Sequence, residues 1–402
     1  MTNKETPVLL LTGYLGSGKT TLLNRILSNR KGIRFAVIVN DLGEINIDAG
    51  LIQKGGIVGE KDDSLVALQN GCICCTLKIN LVEQLSELVA QERFDYIVIE
   101  ASGICEPEPI AQTICSIPYM EEKYSRHGIP RLDCIVTVVD ALRMRDEFGE
   151  KELTKRKFGA DEIEGLIIQQ IEFCNIILLN KASEVSTEEL GRIRSILKAL
   201  QPDAEILPCD YGDVELDRLL HTGIFDWDRT SSSATWIRKV EGEPDTTDEE
   251  AGHEHEHEHE HEHEHEHSHE HGEGEAEEYG IGTFVYKARA PFNITLFDDF
   301  VARKLPKNVI RSKGICYFSH EIDTCYIFDQ AGRQISLRDA GQWYASMPAE
   351  ELYGFLQTHP DTLRDWDENY GDRMQKIVFI GQHLDRRLIC SELDKCLLDV
   401  FQ

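Results

Sequence analysis

One stretch near the start of the chain, Val8-Leu9-Leu10-Leu11-Thr12-Gly13-Tyr14-Leu15-Gly16-Ser17-Gly18-Lys19-Thr20-Thr21, limits the fold more than any other. Its four consecutive apolar residues predict a short buried parallel strand. A Gly-x-x-x-x-Gly-Lys-Thr loop follows, and Leu22-Leu23-Asn24-Arg25-Ile26-Leu27 opens with helical spacing. Strand, glycine loop and helix start together predict an α/β fold, a P-loop NTPase with a mainly parallel sheet. In such a loop Gly13, Gly16 and Gly18 let backbone N–H groups turn inward around phosphate oxygens, and the helix N-terminus adds its positive dipole end. Lys19 would bring a point charge to the β- and γ-phosphates, and the Thr20 hydroxyl is placed to ligate Mg²⁺. A nucleoside triphosphate is the ligand expected.

Further strands are expected at Arg34–Asn40, Tyr96–Glu100, Cys134–Asp140 and Ile176–Asn180, with Leu207-Pro208-Cys209-Asp210 closing the sheet. The segment from Asn40 to Asp48 follows the second of these strands and reads as a switch-like loop, with Asp41, Glu44 and Asp48 as candidates for Mg²⁺ or its waters. An acidic solvated loop is the alternative there. At the tip of the Tyr96 strand, Glu100 is a candidate to hold Mg²⁺ through water, and the Gly103 amide to sense a γ-phosphate. Between the two lies Gly71-Cys72-Ile73-Cys74-Cys75. In an extended segment Cys72 and Cys74 point to one face, and a turn would bring the Cys75 thiol round. Three thiolates suit Zn²⁺, Cu(I) or Co²⁺ and leave one tetrahedral position open. Three small buried cysteines, or a redox pair of Cys72 and Cys75, are the competing readings. Cys105, Cys115, Cys134, Cys174 and Cys209 sit in or beside apolar runs and are expected to pack. Asn180-Lys181-Ala182-Ser183 matches the guanine-reading Asn-Lys-x-Asp pattern except at its last position, where a hydroxyl that can accept one bond replaces the carboxylate, with Glu184 beside it.

A chain of 402 residues predicts two domains. The natural boundary is the acidic stretch 230–278, which separates an expected nucleotide-binding domain at 1–229 from a smaller α+β domain at 279–402. From Glu241 to Glu278 there are eighteen Asp or Glu and no Lys or Arg, so this segment carries most of the formal charge of −30. Such a balance argues for cations as partners and against nucleic acid or an anionic membrane. The segment includes His253, His255, His257, His259, His261, His263, His265, His267, His269 and His271 in near-strict alternation with glutamate. It cannot bury apolar surface, so it is expected to be a disordered linker, and its imidazoles form an accessory site for Zn²⁺, Ni²⁺, Co²⁺ or Cu²⁺. A solvated linker without a metal role is the alternative. Neither a signal-peptide pattern nor an apolar run of bilayer length is present, and the expectation is a cytoplasmic protein with reduced thiols. In the last part, strands are expected at Gly282–Arg289, Val309–Phe318, Cys325–Phe328 and Ile377–Ile380, with helices at Leu296–Leu305 and near Ser391–Leu398. His320, His359, Cys316 and Cys325 have no tight ligand spacing and read as structural.

The P-loop Gly13–Thr20, the Cys72-Ile73-Cys74-Cys75 motif, Glu100-Ala101-Ser102-Gly103 and the Asn180-Lys181 pair occur in this order. With the His-rich linker and the C-terminal domain, the chain resembles the CobW-type GTPases of the P-loop metallochaperones. The resemblance implies a cytosolic GTPase that delivers a divalent metal to a metal-dependent client protein. Zinc is the commonest cargo of the family, with cobalt or nickel insertion of the cobalamin or nitrile hydratase type as other branches. Carried over by position, Cys72, Cys74 and Cys75 are the metal ligands, and Gly16, Ser17, Gly18, Lys19, Thr20 and Thr21 the phosphate contacts. Lys19 and Glu100 would serve catalysis, Asn180 and Lys181 the base, and Thr20, Asp41, Glu44 and Glu100 magnesium. Ser183 departs from the family pattern. No residue stands out as a hydrolytic base, so slow intrinsic turnover is expected; a homodimer is left open. A non-enzymatic metal buffer with structural nucleotide and a thiol redox switch are the rivals.

Overall fold

The computed structural model describes residues 4–28, 32–39, 65–69, 78–149, 162–231, 234 and 279–398. The first unit is a seven-stranded parallel sheet built from β1 (Glu5–Thr12), β2 (Phe35–Val39), β3 (Leu65–Gln69), β4 (Tyr96–Glu100), β5 (Ile129–Asp140), β6 (Ile176–Asn180) and β7 (Glu205–Pro208), in the order β3-β2-β4-β1-β5-β6-β7. Alternate residues of its apolar strands enter different layers, as a period of two requires. Leu9, Leu11, Val98, Val136 and Leu178 pack with Leu22, Leu23 and Ile26 of α1 (Lys19–Leu27) on one face. Leu10, Ile97, Ile99, Ile135 and Leu179 pack on the other with α2 (Lys78–Ala90), α3 (Pro107–Ser116), α5 (Glu162–Glu172) and α6 (Thr187–Leu200). The helix α4 (Ala141–Phe148) follows β5 directly, with Asp140 as its cap. A buried Leu or Ile contributes about 1.5–3 kcal/mol, so α1 is held chiefly by its three buried apolar side chains.

Strand register fixes what lies level with what at the carboxyl end of the sheet. Leu11 pairs with Glu100, Glu100 with Val39, and Val39 with Gln69. The loops that leave β1, β2, β3 and β4 therefore start from one edge, where parallel sheets bind ligands.

The second unit is an antiparallel five-stranded sheet in the order β11-β10-β9-β12-β8, from β8 (Ile281–Ala288), β9 (Val309–Phe318), β10 (Glu321–Ala331), β11 (Gln334–Gln342) and β12 (Gln375–Gln382). One face carries an aromatic cluster of Phe284, Phe292, Phe297, Phe318, Phe328 and Phe379. The other face presents Val285, Ile310, Ala331, Val378 and Ile380, which join the same apolar cluster as Ile168 of α5 and Ile196 of α6. Polar groups fill the rest of this junction. Arg311 on β9, fully buried, donates from Nε and Nη2 to both oxygens of Glu172 at 2.7 and 3.0 Å and is also paired with Asp329. Arg192 donates to Gln382 Oε1 at 2.7 Å, and Arg333 lies 3.0 Å from Glu164.

Several elements differ from the sequence expectation. Leu296–Leu305 is not one helix: α7 (Ile294–Asp299), capped by Asn293 Oδ1 on the Leu296 N–H at 3.1 Å, runs into a wider turn at Phe300–Lys304. The last helix, α8 (Arg386–Asp394), begins earlier than expected because Asp385 caps it by accepting from the Leu388 N–H at 3.0 Å, and it ends at Asp394. The sequence reading missed β11, which joins β10 through the tight turn Gly332-Arg333 and carries mostly exposed polar residues.

Candidate functional site

The loop from Gly13 to Gly18 turns between β1 and α1 on glycines with positive φ at 13, 16 and 18. At Gly13 an added Cβ would sit 2.3 Å from the Val138 carbonyl oxygen, so only glycine passes so close to β5. Lys19, 8% exposed at the start of α1, donates from Nζ to the carbonyls of Gly13 and Tyr14 at 2.7 and 3.2 Å. Its ammonium therefore lies folded across the loop, within the ring of amides that the glycines turn inward. Such a loop accepts phosphate oxygens on backbone N–H groups, with a cation and a helix N-terminus behind them. Thr21 is exposed at the same helix start, and Ser17 is buried.

Thr20 Oγ1 donates to Glu100 Oε1 at 3.0 Å, which joins the start of α1 to the tip of β4. Glu100 is 2% exposed, and the Ala101 N–H beyond it donates to Leu11 O at 2.9 Å. A hydroxyl beside a buried carboxylate is a pair of hard oxygen donors, the chemistry that magnesium takes. The loop after Glu100 is held from below: the buried Gln170 of α5 donates to the carbonyls of Cys105 and Gly103 at 3.1 and 3.4 Å. Thr137 Oγ1 donates to the Gln170 carbonyl at 2.8 Å and lies 2.8 Å from Thr12 Oγ1.

The far end of the site is built by the loops after β6 and β7. Asn180, 3% exposed, donates from Nδ2 to Ser17 O at 2.8 Å and accepts on Oδ1 from the Gly212 N–H at 3.2 Å. One side chain thus ties the P-loop to the loop after β7. Lys181 adopts a left-handed conformation, φ 59°, and is ion-paired with Asp140. Ser183 does not present its hydroxyl proton to solvent: both its N–H and its Oγ–H donate to Asp210 Oδ1, at 3.1 and 3.0 Å. Burial pushes the Cys209 thiol up to about 11, and its Sγ lies 3.7 Å from Asn180 Oδ1. Burial likewise pushes Cys174 up to about 12, and Cys105, Cys134 and Cys174 are all buried in the core, as packing residues should be.

The structure thus brings together Gly13, Gly16, Ser17, Gly18, Lys19, Thr20, Thr21, Glu100, Asn180 and Lys181. Asp41, Glu44 and Asp48, Cys72, Cys74 and Cys75, and the histidines from His253 to His271 lie outside the described residues. Among the described residues no group of three or more His, Cys, Asp or Glu is arranged to hold a metal ion. The sequence reading did not single out Gln170, Arg25 or the Ser183–Asp210 contact. Gln170 and Arg25 sit in ordinary helices, and Asp210 meets Ser183 only through the adjacency of β6 and β7.

Residues 7–208 match the family described as CobW/HypB/UreG, nucleotide-binding domain, and residues 281–397 match the cobalamin synthesis protein cobW C-terminal domain. The chain is 34% identical over 418 residues to the zinc-regulated GTPase metalloprotein activator 1 of Dictyostelium discoideum, covering 98% of this chain and 80% of that protein. It is 32% identical over 228 residues to the zinc chaperone CobW of Pseudomonas aeruginosa, covering 53% of this chain and 59% of that one. The zinc chaperone YjiA of Escherichia coli is 30% identical over 223 residues, covering 54% and 62%. Among the described residues no helix is long and apolar enough to cross a membrane. With its P-loop on a parallel sheet and a separate antiparallel C-terminal domain, the chain is a GTPase of the CobW/HypB/UreG family.

Proposed function

We propose that this GTPase is a metallochaperone that binds zinc through Cys72, Cys74 and Cys75 and delivers it to a metal-dependent client. The observation that carries the reading is the strand register. Gln69 on β3 is two strands from Glu100 on β4, a separation of about 10 Å, and all these strands point the same way. Cys72 is three residues beyond Gln69, and covalent reach keeps the two Cα atoms within about 11 Å. In this reading the segment that carries the cysteines leaves β3 at Gln69, level with Glu100 and the phosphate loop, which supports a coupling of cargo to nucleotide. The names of the relatives support zinc as the cargo.

In this reading the P-loop amides and Lys19 cradle the phosphates, and Asn180 and Lys181 line the base end. Thr20 and Glu100, with Asp41 and Glu44 from the segment after β2, would hold a magnesium ion. That ion supplies neutralisation of charge on the phosphate oxygens. Lys19 stabilises the charge that grows as the terminal phosphate leaves, because its ammonium is already fixed by two carbonyls. The Gly103 loop senses the γ-phosphate, and its tie to Gln170 passes that state to α5, whose last residue is gripped by Arg311 of the C-terminal sheet. The His/Glu arm collects metal, and the cysteines hold it until hydrolysis loosens the site beside the client.

The test is GTP turnover with Zn²⁺, Co²⁺ and Ni²⁺ in turn, with ATP as control, on the full chain and on the variant Cys72→Ser/Cys74→Ser/Cys75→Ser. Zinc should change turnover in the parent, and the variant should lose stoichiometric zinc binding at the high-affinity site while GTP affinity holds. Zinc affinity and zinc response that survive all three substitutions would sink the cysteine site.

A further inference from the structure

We infer that Asp210, held by Ser183, is the residue that reads the guanine base. The inference concerns the nucleotide alone and stands whatever the cargo. Guanine presents two donors on one edge, N1–H and the 2-amino group, and a site selective for it needs acceptors opposite both. At position 183 the chain has a serine, whose hydroxyl is ambiguous: it can donate or accept. The structure removes the ambiguity. The Ser183 hydroxyl proton is committed to Asp210 Oδ1 at 3.0 Å, and the Ser183 N–H donates to the same oxygen at 3.1 Å. What the pair offers outward is therefore the Ser183 lone pairs and Asp210 Oδ2, acceptors only. Asp210 Oδ2 makes no hydrogen bond among the described residues.

The carboxylate is held in a stiff frame. The Ala182 N–H donates to Cys209 O at 3.1 Å, and the Cys209 N–H to Leu179 O at 2.9 Å, so the residue just before Asp210 is bonded through both its backbone groups to the end of β6 and the loop after it. The Asp213 N–H closes a turn on Asp210 O at 2.9 Å. From the other side Arg25 of α1 donates to Tyr211 O at 2.9 Å and to Asp213 Oδ1 at 2.6 Å. Asn180, in contact with both Ser17 and Gly212, sets the distance from this frame to the P-loop. Asp210 is half-buried, so its charge has less water around it than a fully exposed carboxylate has.

An acceptor-only pair discriminates by what it leaves unpaired. Adenine puts the N1 lone pair against it, xanthine puts the 2-oxo group against it, and hypoxanthine has no 2-amino donor. Replacing Asp210 by asparagine puts an N–H₂ donor in that place, which suits the 2-oxo group of xanthine and leaves the guanine amino group facing a donor.

The experiment is equilibrium binding of GTP, ITP, XTP and ATP to the full chain and its variants. The parent should bind GTP above XTP and ATP by about 10²-fold or more. Asp210→Asn should lose about 10²-fold in GTP affinity and bind XTP more tightly than GTP, an inversion that a loss of loop packing does not produce. An Asp210→Asn variant that weakens all four nucleotides alike, or that keeps GTP above XTP, overturns the assignment. The exchange Ser183→Asp/Asp210→Ser keeps the same two groups in contact and guards against a variant that fails to fold. It should retain GTP over XTP, and a folded exchange variant with no base preference also overturns the assignment.

Discussion

At Gly18 the backbone sits at φ +108°, and a Cβ placed there would lie 2.3 Å from Asn180 Nδ2. The position matters because the Asn180 side chain bonds both Ser17 O and the Gly212 N–H. Gly18→Ala combines left-handed strain with a shove on that asparagine, so it should cost about 1–3 kcal/mol of stability. It should also abolish tight GTP binding, since the amides that face the phosphates turn with the glycine. Denaturant unfolding and nucleotide titration check the two parts. A variant with parental GTP affinity would mean that the loop tolerates the displaced asparagine.

The elements α5 and β9 meet through a charge that has no access to water. Burial alone would lower the Arg311 pKa, but Glu172 and Asp329 outweigh it and hold the guanidinium charged. Burial raises the Asp329 carboxyl, and Arg311 and Lys313 together overcome that and bring it below its ordinary value. A buried pair is weak evidence of net stabilisation, yet removal of one partner leaves the others desolvated and unpaired. Arg311→Met, close in volume, should therefore destabilise the protein by about 3–5 kcal/mol in urea unfolding. A loss under about 1 kcal/mol would mean that water or a shifted side chain takes over the carboxylates.

For the whole molecule the same linkage sets the response to acid. Asp95, hydrogen-bonded to Arg34, is lowered to about 2, and Asp329 is also lowered. The unfolded chain, with aspartates near 3.9, then binds more protons than the folded one as pH falls, so the stabilisation is present above about 4 and is lost below it. Melting temperature should depend little on these groups from pH 7 to 5 and decline below about 4. Because one apolar cluster joins α5 and α6 to the C-terminal sheet, both units should melt in one transition. Scans by fluorescence and by far-ultraviolet circular dichroism check this, and two separated transitions would show the junction to be weaker than its packing.

Local chemistry written in short runs of sequence was legible without coordinates. Val8–Leu11 reads as a buried strand, Gly13–Thr20 as a phosphate loop, and Glu100 as a carboxylate at a strand tip, because each depends on neighbours within a few residues. The antiparallel C-terminal unit was legible in outline, while β11 was not, since its exposed polar residues carry no hydrophobic period. Tertiary structure alone decided the long-range pairings. Thr20 meets Glu100 across 80 positions, Asn180 meets Ser17 across 163, and Arg311 meets Glu172 across 139. The proton of Ser183 is the sharpest case. Its sequence position marked it as a damaged base reader, and only the adjacency of β6 and β7 gave that hydroxyl a carboxylate to donate to.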